Sequence, residues 1–303
     1  SCMCGLSQGS HSQSKEEKQT VNNLSAGDVR DSISLIQFMR AYNIDAVIHL
    51  AGLKAVGESV SNPLEYFDSN VCGLVGLVSA MQKCNIKKLI FSSSATVYGD
   101  PAYLPLDEEH PKSATNPYGR TKLHCEEILA DIAKSDSTWR ITSLRYFNPI
   151  GAHNSGLIGE NPSDIPNNIM PYIVQVAKGA LPELTIFGNN YATADGTGVR
   201  DYIHVEDLSD GHFVALNQLS KRDQAYDVFN LGTGRGFSVL ELISAFEQVS
   251  GCKVHFKIGD RRPGDVGTCF ASIHKSKVKL KWQAKKTIHD MCRSAWHFEV
   301  SKK

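Results

Sequence analysis

This sequence has no excess of either charge. Its 32 lysines and arginines balance 32 aspartates and glutamates, so no overall field draws it to nucleic acid or to an anionic membrane. It has no long apolar run. Asp45-Ala-Val-Ile-His-Leu-Ala51 is among the longest, far short of the roughly 20 residues that a spanning helix needs. The first residues hold no apolar stretch of the signal-peptide kind. Paired cysteines are also missing. The eight cysteines fall at 2, 4, 72, 84, 125, 252, 269 and 292. Only Cys2 and Cys4 are close, with no partner pair, which argues against zinc and for reduced thiols in the cytoplasm. There is no internal repeat.

What is present is ordinary globular composition, 41% apolar and 21% charged over 303 residues. That length predicts two lobes or one large α/β body. Residues 1–26 are polar, without apolar periodicity, and read as a disordered tail. From Asp31, Ile33, Leu35, Ile36, Phe38 and Met39 recur at helical spacing. The run 45–51, ending at Gly52, reads as a buried parallel strand. Residues 63–84 predict a helix with Pro63 in its first turn. Lys88–Ser92 and Trp139–Phe147 read as strands, and Tyr118–Lys134 as a helix. Such alternation predicts a doubly wound parallel sheet, whose ligands lie beyond the carboxyl ends of its strands. After Gly151 the loops lengthen, and helical patterns recur near 166–179, 205–219, 238–250 and 287–298. The division is therefore 27–150 and a smaller lobe over 151–303. Gly232-Thr-Gly-Arg-Gly236 lacks the spacing of a phosphate loop and reads as a turn before the 238–250 helix.

The strongest chemical signal is Tyr118-Gly-Arg-Thr-Lys122. Four residues apart, the two side chains share one helix face. A free phenol, with a pKa near 10, is a poor base at neutral pH, and a lysine charge beside it favours the phenolate. Ser94, at the end of the preceding strand, is placed to hold the substrate oxygen that loses its proton. Alone, a Tyr and a Lys at this spacing arise often by chance. The Ser92-Ser-Ser94 strand end and the Asn116-Pro117 helix start make the set far more specific.

Ser92-Ser-Ser-Ala-Thr-Val-Tyr-Gly99, Asn116-Pro-Tyr-Gly-Arg-Thr-Lys122 and Arg145-Tyr-Phe-Asn-Pro149 resemble the extended short-chain dehydrogenase/reductases. More narrowly, four further runs resemble the UDP-glucose 4-epimerase family. They are His49-Leu-Ala-Gly-Leu-Lys-Ala-Val-Gly-Glu-Ser59, Pro166-Asn-Asn-Ile-Met-Pro171, Asp195-Gly-Thr-Gly-Val-Arg-Asp-Tyr-Ile-His-Val205 and Arg261-Arg-Pro-Gly-Asp265. The resemblance covers most of the chain, from about 27 to 298. It implies a Rossmann-like fold, a bound NAD, and a UDP-sugar oxidised and re-reduced at C4, which interconverts UDP-glucose and UDP-galactose. Tyr118 would take the C4 hydroxyl proton, Ser94 orient that hydroxyl, and Lys122 tune Tyr118 and hold the nicotinamide ribose.

Carried over position by position, the resemblance puts Asp28 and Val29 at the adenine and Ala51, Gly52, Leu53 and Lys54 along the pyrophosphate. Asn70 and Ser92 lie nearby, with Tyr118, Lys122, Tyr146 and Pro149 also assigned to the cofactor, the last two at its nicotinamide end. For the UDP-sugar it points to Lys54, Ser94, Asn148, Asn168, Ile169, Phe187, Arg200, Tyr202, Arg262, Asp265 and Cys269. Plainer readings stand beside these. Asp28 suits a helix cap, Lys54 a solvated charge, and Arg200 an ion pair with neighbouring Asp201. Asn148 and Asn168 suit turn caps, and Phe187 suits a core. At Cys269 the family carries either a bulky or a small residue beside the sugar 2-substituent. A small one leaves room for an N-acetyl group, which implies turnover of UDP-N-acetylglucosamine and UDP-N-acetylgalactosamine as well.

The family begins with a strand, a glycine-rich turn and a helix that cradle the pyrophosphate. No such unit precedes Asp28 here, and Gly5 and Gly9 stand in polar sequence. The expectation is an N-terminally truncated Rossmann-like domain, with a catalytically impaired remnant that binds UDP-sugar or a partner subunit as the alternative. A nucleotide-sugar dehydratase would carry Asp-Glu just after the strand-end hydroxyl, where this chain has Ala95-Thr96. The resemblance also implies a homodimer built from helices 63–84 and 117–134.

Overall fold

The structure, a computed structural model, describes residues 5–7, 27–162, 166, 168–262 and 264–302. The rest of the expected 1–26 tail lies outside the described residues, as do Asn167 and Pro263. Gly5–Ser7 form strand β1. Asp31 then starts helix α1 (Ser32–Ala41), its carboxylate accepting from the amides of Ile33 and Ser34. These are donors that a helix start leaves unmatched. Strand β2 (Ala46–His49) follows.

The helix expected over 63–84 is real but not uniform. A short α2 (Val56–Ser61) precedes it, Pro63 opens α3 (Pro63–Tyr66), and α4 (Gly73–Lys83) completes it. Between α3 and α4, Phe67–Cys72 widen into a π-helical turn. Such a turn re-aims the side chains it carries, and Asn70 is one of them. Strand β3 (Lys88–Ser94) runs two residues past its expected end. Helix α5 (Pro117–Ser135) starts on Asn116, whose side chain accepts from the Gly119 amide. Strand β4 (Arg140–Tyr146) follows.

Next come β5 (Asn148–Ile150), α6 (Ile169–Ala177), β6 (Leu184–Phe187), β7 (Val199–Arg200), β8 (Tyr202–His204) and α7 (Val205–Leu219). After these lie β9 (Tyr226–Leu231), β10 (Phe237–Ser238), α8 (Val239–Ser250), β11 (Phe256–Gly259), β12 (Thr268–Cys269) and α9 (Ile288–Ser301).

A five-stranded sheet takes the order β1-β2-β3-β4-β9. β2 and β3 run parallel, with Ile48 beside Ile90, as the strand–helix alternation predicts. β1 departs from this. It pairs antiparallel with β2, Gly5 opposite Ile48, where the sequence pattern predicts no structure. An edge strand offers main-chain donors and acceptors to any extended segment, so pairing there needs no apolar pattern.

The chain groups into two units. The first holds Ser1–Val97, Asn116–Leu144 and Leu216–Val228, and the second Tyr98–Thr115, Arg145–Ala215 and Phe229–Lys303. The boundary expected at residue 150 lies near one crossing, yet the chain crosses more than once, because it returns to bring β9 to the sheet. With Tyr98–Thr115 and β5 added, the second unit is the larger of the two rather than the smaller. Each unit has its own core. In the first, Leu74, Leu77 and Met81 of α4 and Leu129 of α5 pack on Val47, Leu89 and Phe91. In the second, Ile173, Leu242, Phe246 and Met291 come from α6, α8 and α9. Burying one such side chain is worth about 1.5–3 kcal/mol.

Candidate active site

In the first unit the strand ends carry the expected residues. Beyond β2, Ala51 is buried, Gly52 and Leu53 half-buried and Lys54 exposed. Gly52 has φ +154, and a Cβ there would lie 2.9 Å from Asn70 Oδ1, so only glycine lets the loop close on that amide. Asn70 grips the loop at both ends. Its Oδ1 accepts from the Leu53 amide at 2.8 Å, and its Nδ2 donates to the Leu53 carbonyl at 3.0 Å and to Thr121 Oγ1 at 3.0 Å. The sequence reading set Asn70 beside the pyrophosphate; here its amide is engaged in holding the loop against α5.

The end of β3 splits its three serines by strand alternation. Ser93 donates to buried Glu126 at 2.5 Å. Ser94 Oγ accepts from the amide and the hydroxyl of Thr96, at 3.2 and 3.0 Å. Its own proton is then free for Tyr118, with which it is hydrogen-bonded. Lys122, one turn further along α5, is buried, and its Nζ donates to the Ser92 carbonyl at 2.7 Å and sits 5.0 Å from the centre of the Phe91 ring.

One electrostatic expectation is corrected. Tyr118 is not drawn down by Lys122 in the chain alone. Burial pushes its phenol up, and the Ser94 hydrogen bond opposes this. Burial also lowers the Lys122 pKa, against Cys125 and Glu126. Helical spacing puts both side chains on one face, but the lysine stem carries its charge on to the Ser92 carbonyl.

At the start of the unit, Asp28 is no helix cap; Asp31 takes that place. The Asp28 carboxylate is exposed and forked by Arg30, with Nε at 3.0 Å and Nη2 at 2.5 Å. Val29 lies on α4, where a Cβ on Gly73 would come within 2.8 Å of Val29 Cγ2.

In the second unit the expected residues form small groups. Phe187 is no core residue: it is 41% exposed, and the Arg262 guanidinium lies 4.7 Å from its ring centre. Arg262 Nε also meets Asp265 at 2.9 Å. Arg200 makes no ion pair with Asp201. Its Nη1 donates to the Val199 carbonyl at 2.9 Å, while the buried Asp201 carboxylate accepts from Thr233, Gly234 and Ala271 amides. Asp201 thereby ties down the glycine turn that precedes β10 and α8. The parallel pairing of β12 with β7 sets Cys269 beside Arg200. Burial pushes its thiol up to about 11, with Arg200 opposing.

Asn148 is exposed at the start of β5, its amide on the Asp201 carbonyl at 2.9 Å, and Pro149 is half-buried next to it. Asn168 stands at the N-cap of α6 but does not cap it; its side chain donates to Glu160 at 2.6 Å. Ile169 packs half-buried on the core. Tyr202 is only 2% exposed and belongs to that core, in a strand whose three residues are all buried. Half-buried Tyr146 is hydrogen-bonded to His212 of α7. The sequence reading missed Thr96, Asp201 and His212. Only Thr96 left a signal, a hydroxyl two residues after another, which is turn spacing.

Fold and site together are those of an extended short-chain dehydrogenase/reductase. Residues 6–295 match the family described as GDP-mannose 4,6 dehydratase. UDP-glucose 4-epimerase 2 of Arabidopsis thaliana is 55% identical over 271 residues, 89% of this chain and 77% of that protein. The UDP-glucose 4-epimerase of Bacillus subtilis is 53% identical over 274 residues, 90% of this chain and 80% of that protein. Among solved structures, the Stenotrophomonas maltophila UDP-glucose 4-epimerase with bound NAD and formylated UDP-arabinopyranose matches with TM-score 0.88 at 49% identity, covering 91% of this chain and 82% of that one. The Bifidobacterium longum enzyme in complex with NAD+ and UDP matches equally, TM-score 0.88 at 49% identity, over 92% and 83%. This chain belongs to the UDP-glucose 4-epimerase family.

Proposed function

We propose that this chain interconverts UDP-glucose and UDP-galactose by oxidation and re-reduction at sugar C4, with NAD as its cofactor. The observation that carries the reading is the Ser94–Tyr118 hydrogen bond with buried Lys122 one helical turn on, in a chain 55% identical to a UDP-glucose 4-epimerase.

The residues fit the nicotinamide end of the cofactor. Lys122 is buried with its ammonium on a single described acceptor. An ammonium has three donors, and two left over in a dry site suit the hydroxyls of a ribose. The loop at Gly52, Leu53 and Lys54, flanked by Ala51 and Ser92, lines the approach, with Tyr146 and Pro149 assigned to the same end and Asp28 and Val29 to the adenine. Among the described residues no glycine-rich turn is present for the pyrophosphate. NAD, when bound, would supply the acceptor for the C4 hydride and its source on return. Tyr118 Oη takes the hydroxyl proton and later gives it back. Ser94 would hold that hydroxyl; with the 4-ketose turned to its other face, the hydride would return to the opposite side of C4, which inverts it, while Tyr118 gives the proton back to the oxygen.

Arg200 and Arg262 suit the diphosphate, since a guanidinium fork matches paired phosphate oxygens. Exposed Phe187 offers a ring face to uracil, and Asp265, Asn148, Asn168 and Ile169 are assigned to the same substrate. Cys269 beside Arg200 leaves room for an N-acetyl group, so UDP-N-acetylhexosamines are substrates too. Cys269→Tyr is expected to lower N-acetyl turnover by about tenfold relative to glucose turnover, the scale of a steric mismatch. An unchanged ratio removes the gatekeeping role.

α3–α4 and α5 form the face of a homodimer. Leu64 and Val75 are 83% and 46% exposed on it, and light scattering of Leu64→Glu tests the assembly. The six described free cysteines suit a cytoplasmic setting, and no described helix is long and apolar enough to cross a membrane.

The test is direct. The purified chain is denatured and the supernatant examined for NAD, then intact chain is assayed for interconversion of the two UDP-hexoses. Both are expected. UDP binding without NAD or turnover would favour the impaired remnant instead.

A further inference from the structure

Asp201 takes no part in the function above, yet residues assigned to the UDP-sugar stand on every side of it. It joins β7 to β8 and is fully buried. Its Oδ1 accepts from the Thr233 amide at 2.8 Å and the Thr233 hydroxyl at 2.6 Å. Its Oδ2 accepts from the Gly234 amide at 3.0 Å and the Ala271 amide at 3.1 Å. These four donors match what a carboxylate can accept. Burial pushes the carboxyl up, and the bonds from Thr233, Ala271 and Gly234 oppose this. The backbone is engaged as well: its N–H donates to the Cys269 carbonyl at 3.0 Å, and its carbonyl accepts from the Asn148 amide at 2.9 Å. One residue thus fastens the glycine turn, β12 and β5 to the β7–β8 join. In that register Cys269 lies beside Arg200 and Asn148 beside Tyr202. The turn closes tightly on the carboxylate, since a Cβ on Gly232 would lie 2.6 Å from Asp201 Oδ2. Leu106 holds the 270–272 segment independently, donating to the Phe270 carbonyl at 3.0 Å and accepting from the Ser272 amide at 2.6 Å. The segment therefore keeps a second anchor when the carboxylate is changed.

We propose that Asp201 is a positioning residue for Arg200: by fixing β12, the glycine turn and β5 around the β7–β8 join, it holds Arg200 in the register from which its guanidinium meets the substrate diphosphate. This rests on the reading of Arg200 as a diphosphate contact. The two neighbours in sequence then divide the work. The arginine recognises the nucleotide, and the aspartate recognises the protein around it. An asparagine at 201 keeps the shape but sets an NH2 against the amides of Thr233 or of Gly234 and Ala271, donor against donor.

The test is calorimetric titration of UDP into the full chain, with steady-state turnover of UDP-glucose beside it. Asp201→Asn is expected to weaken UDP binding about tenfold, the scale of one hydrogen bond to a charged group. KM should rise by as much, with kcat within about twofold of the parent. In an Arg200→Ala background the same change is expected to cost at most about twofold, because the group it places is gone. A folded Asp201→Asn that binds UDP like the parent overturns the inference. So does a loss confined to kcat, or effects of the two changes that multiply. Each of these leaves Arg200 standing as a diphosphate contact. A parent chain that binds no UDP, or an Arg200→Ala variant that binds it like the parent, overturns that reading and the inference together. Should Asp201→Asn not fold, Thr233→Val decides, because it removes one donor and leaves the amides in place. Binding of UDP about threefold weaker, with no such loss in the Arg200→Ala background, supports the inference, and parent-like binding overturns it.

Discussion

The two units hold their candidate residues by different means. In the first, the groups assigned to chemistry are fixed by short hydrogen bonds: Asn70 on both ends of Leu53, Thr96 on Ser94, Lys122 on the Ser92 carbonyl. In the second, the groups assigned to nucleotide recognition are partly exposed and rest on ring faces and carbonyls, as Arg262 does on Phe187 and Arg200 on Val199. Proton transfer fails when atoms are misplaced by fractions of an ångström. Diphosphate recognition tolerates reach, because charge acts over longer distances. Substitutions in the first unit should thus cost turnover, and those in the second affinity.

The largest expected effect is at Tyr118. Tyr118→Phe removes the oxygen assigned to move the proton, and kcat should fall by about 10³-fold, within the range of general acid–base catalysis. NAD content should stay at the parent level, because Phe keeps the ring. A variant that loses NAD instead would show that the Tyr118 hydroxyl, and not its ring alone, holds the cofactor, and would blur the contrast between the units.

Ser94→Ala comes next. The Ser94 bond opposes the burial that pushes the Tyr118 phenol up. Removing it destabilises the phenolate, so the Tyr118 pKa rises and the acidic limb of kcat/KM, where the base must lose its proton, moves to higher pH. Turnover at neutral pH should fall roughly 10- to 100-fold, as one charge-assisted hydrogen bond and one substrate contact are lost. A pH profile that stays in place would show that Ser94 acts on substrate alone.

Much of this arrangement was legible in the sequence, and the rest fails for a common reason. Periodicity found α1, β2, α5 and β4 within a few residues, because apolar spacing is local. Tyr118 and Lys122 stood out because helical spacing alone brings them to one face. The π turn at Phe67–Cys72 has no such signature, nor has the grip of Asn70 on a loop seventeen residues earlier. Asp201 looked like the partner of Arg200 because it is adjacent, yet its carboxylate serves amides some 32 and 70 residues away. Contacts of that separation are set by tertiary packing, and a linear pattern does not carry them.

Arg262 sharpens the other side of the contrast. Arg262→Ala removes a guanidinium stacked on Phe187 and paired with Asp265. KM for the UDP-sugar should rise about tenfold, the worth of one charged contact with phosphate, with kcat within about twofold on the same scale. A loss confined to kcat would mean that this side, too, shapes the transition state.

The smallest effect is expected at Asp28, where an ion pair is conspicuous but open to solvent. Arg30 forks its carboxylate and also reaches Asp68 at 2.5 Å, with the Asp28 and Arg30 side chains 49% and 48% exposed. Hydrogen bonds from Arg30 hold the Asp28 pKa at about 2, well below the usual carboxylate range. A depressed carboxylate pKa means that the folded chain favours the ionised form. The gain is present above the unfolded pKa and is lost as pH falls through the folded one. Water and salt screen such a pair strongly, so Asp28→Asn should leave the melting temperature at pH 7 and physiological salt close to the parent's. The two should separate slightly at low ionic strength and converge again as the pH falls below about 4, where unfolded carboxylates protonate. A large loss at pH 7 would mean that the fork organises the start of the first unit, and that fixed geometry there extends beyond the catalytic strand ends.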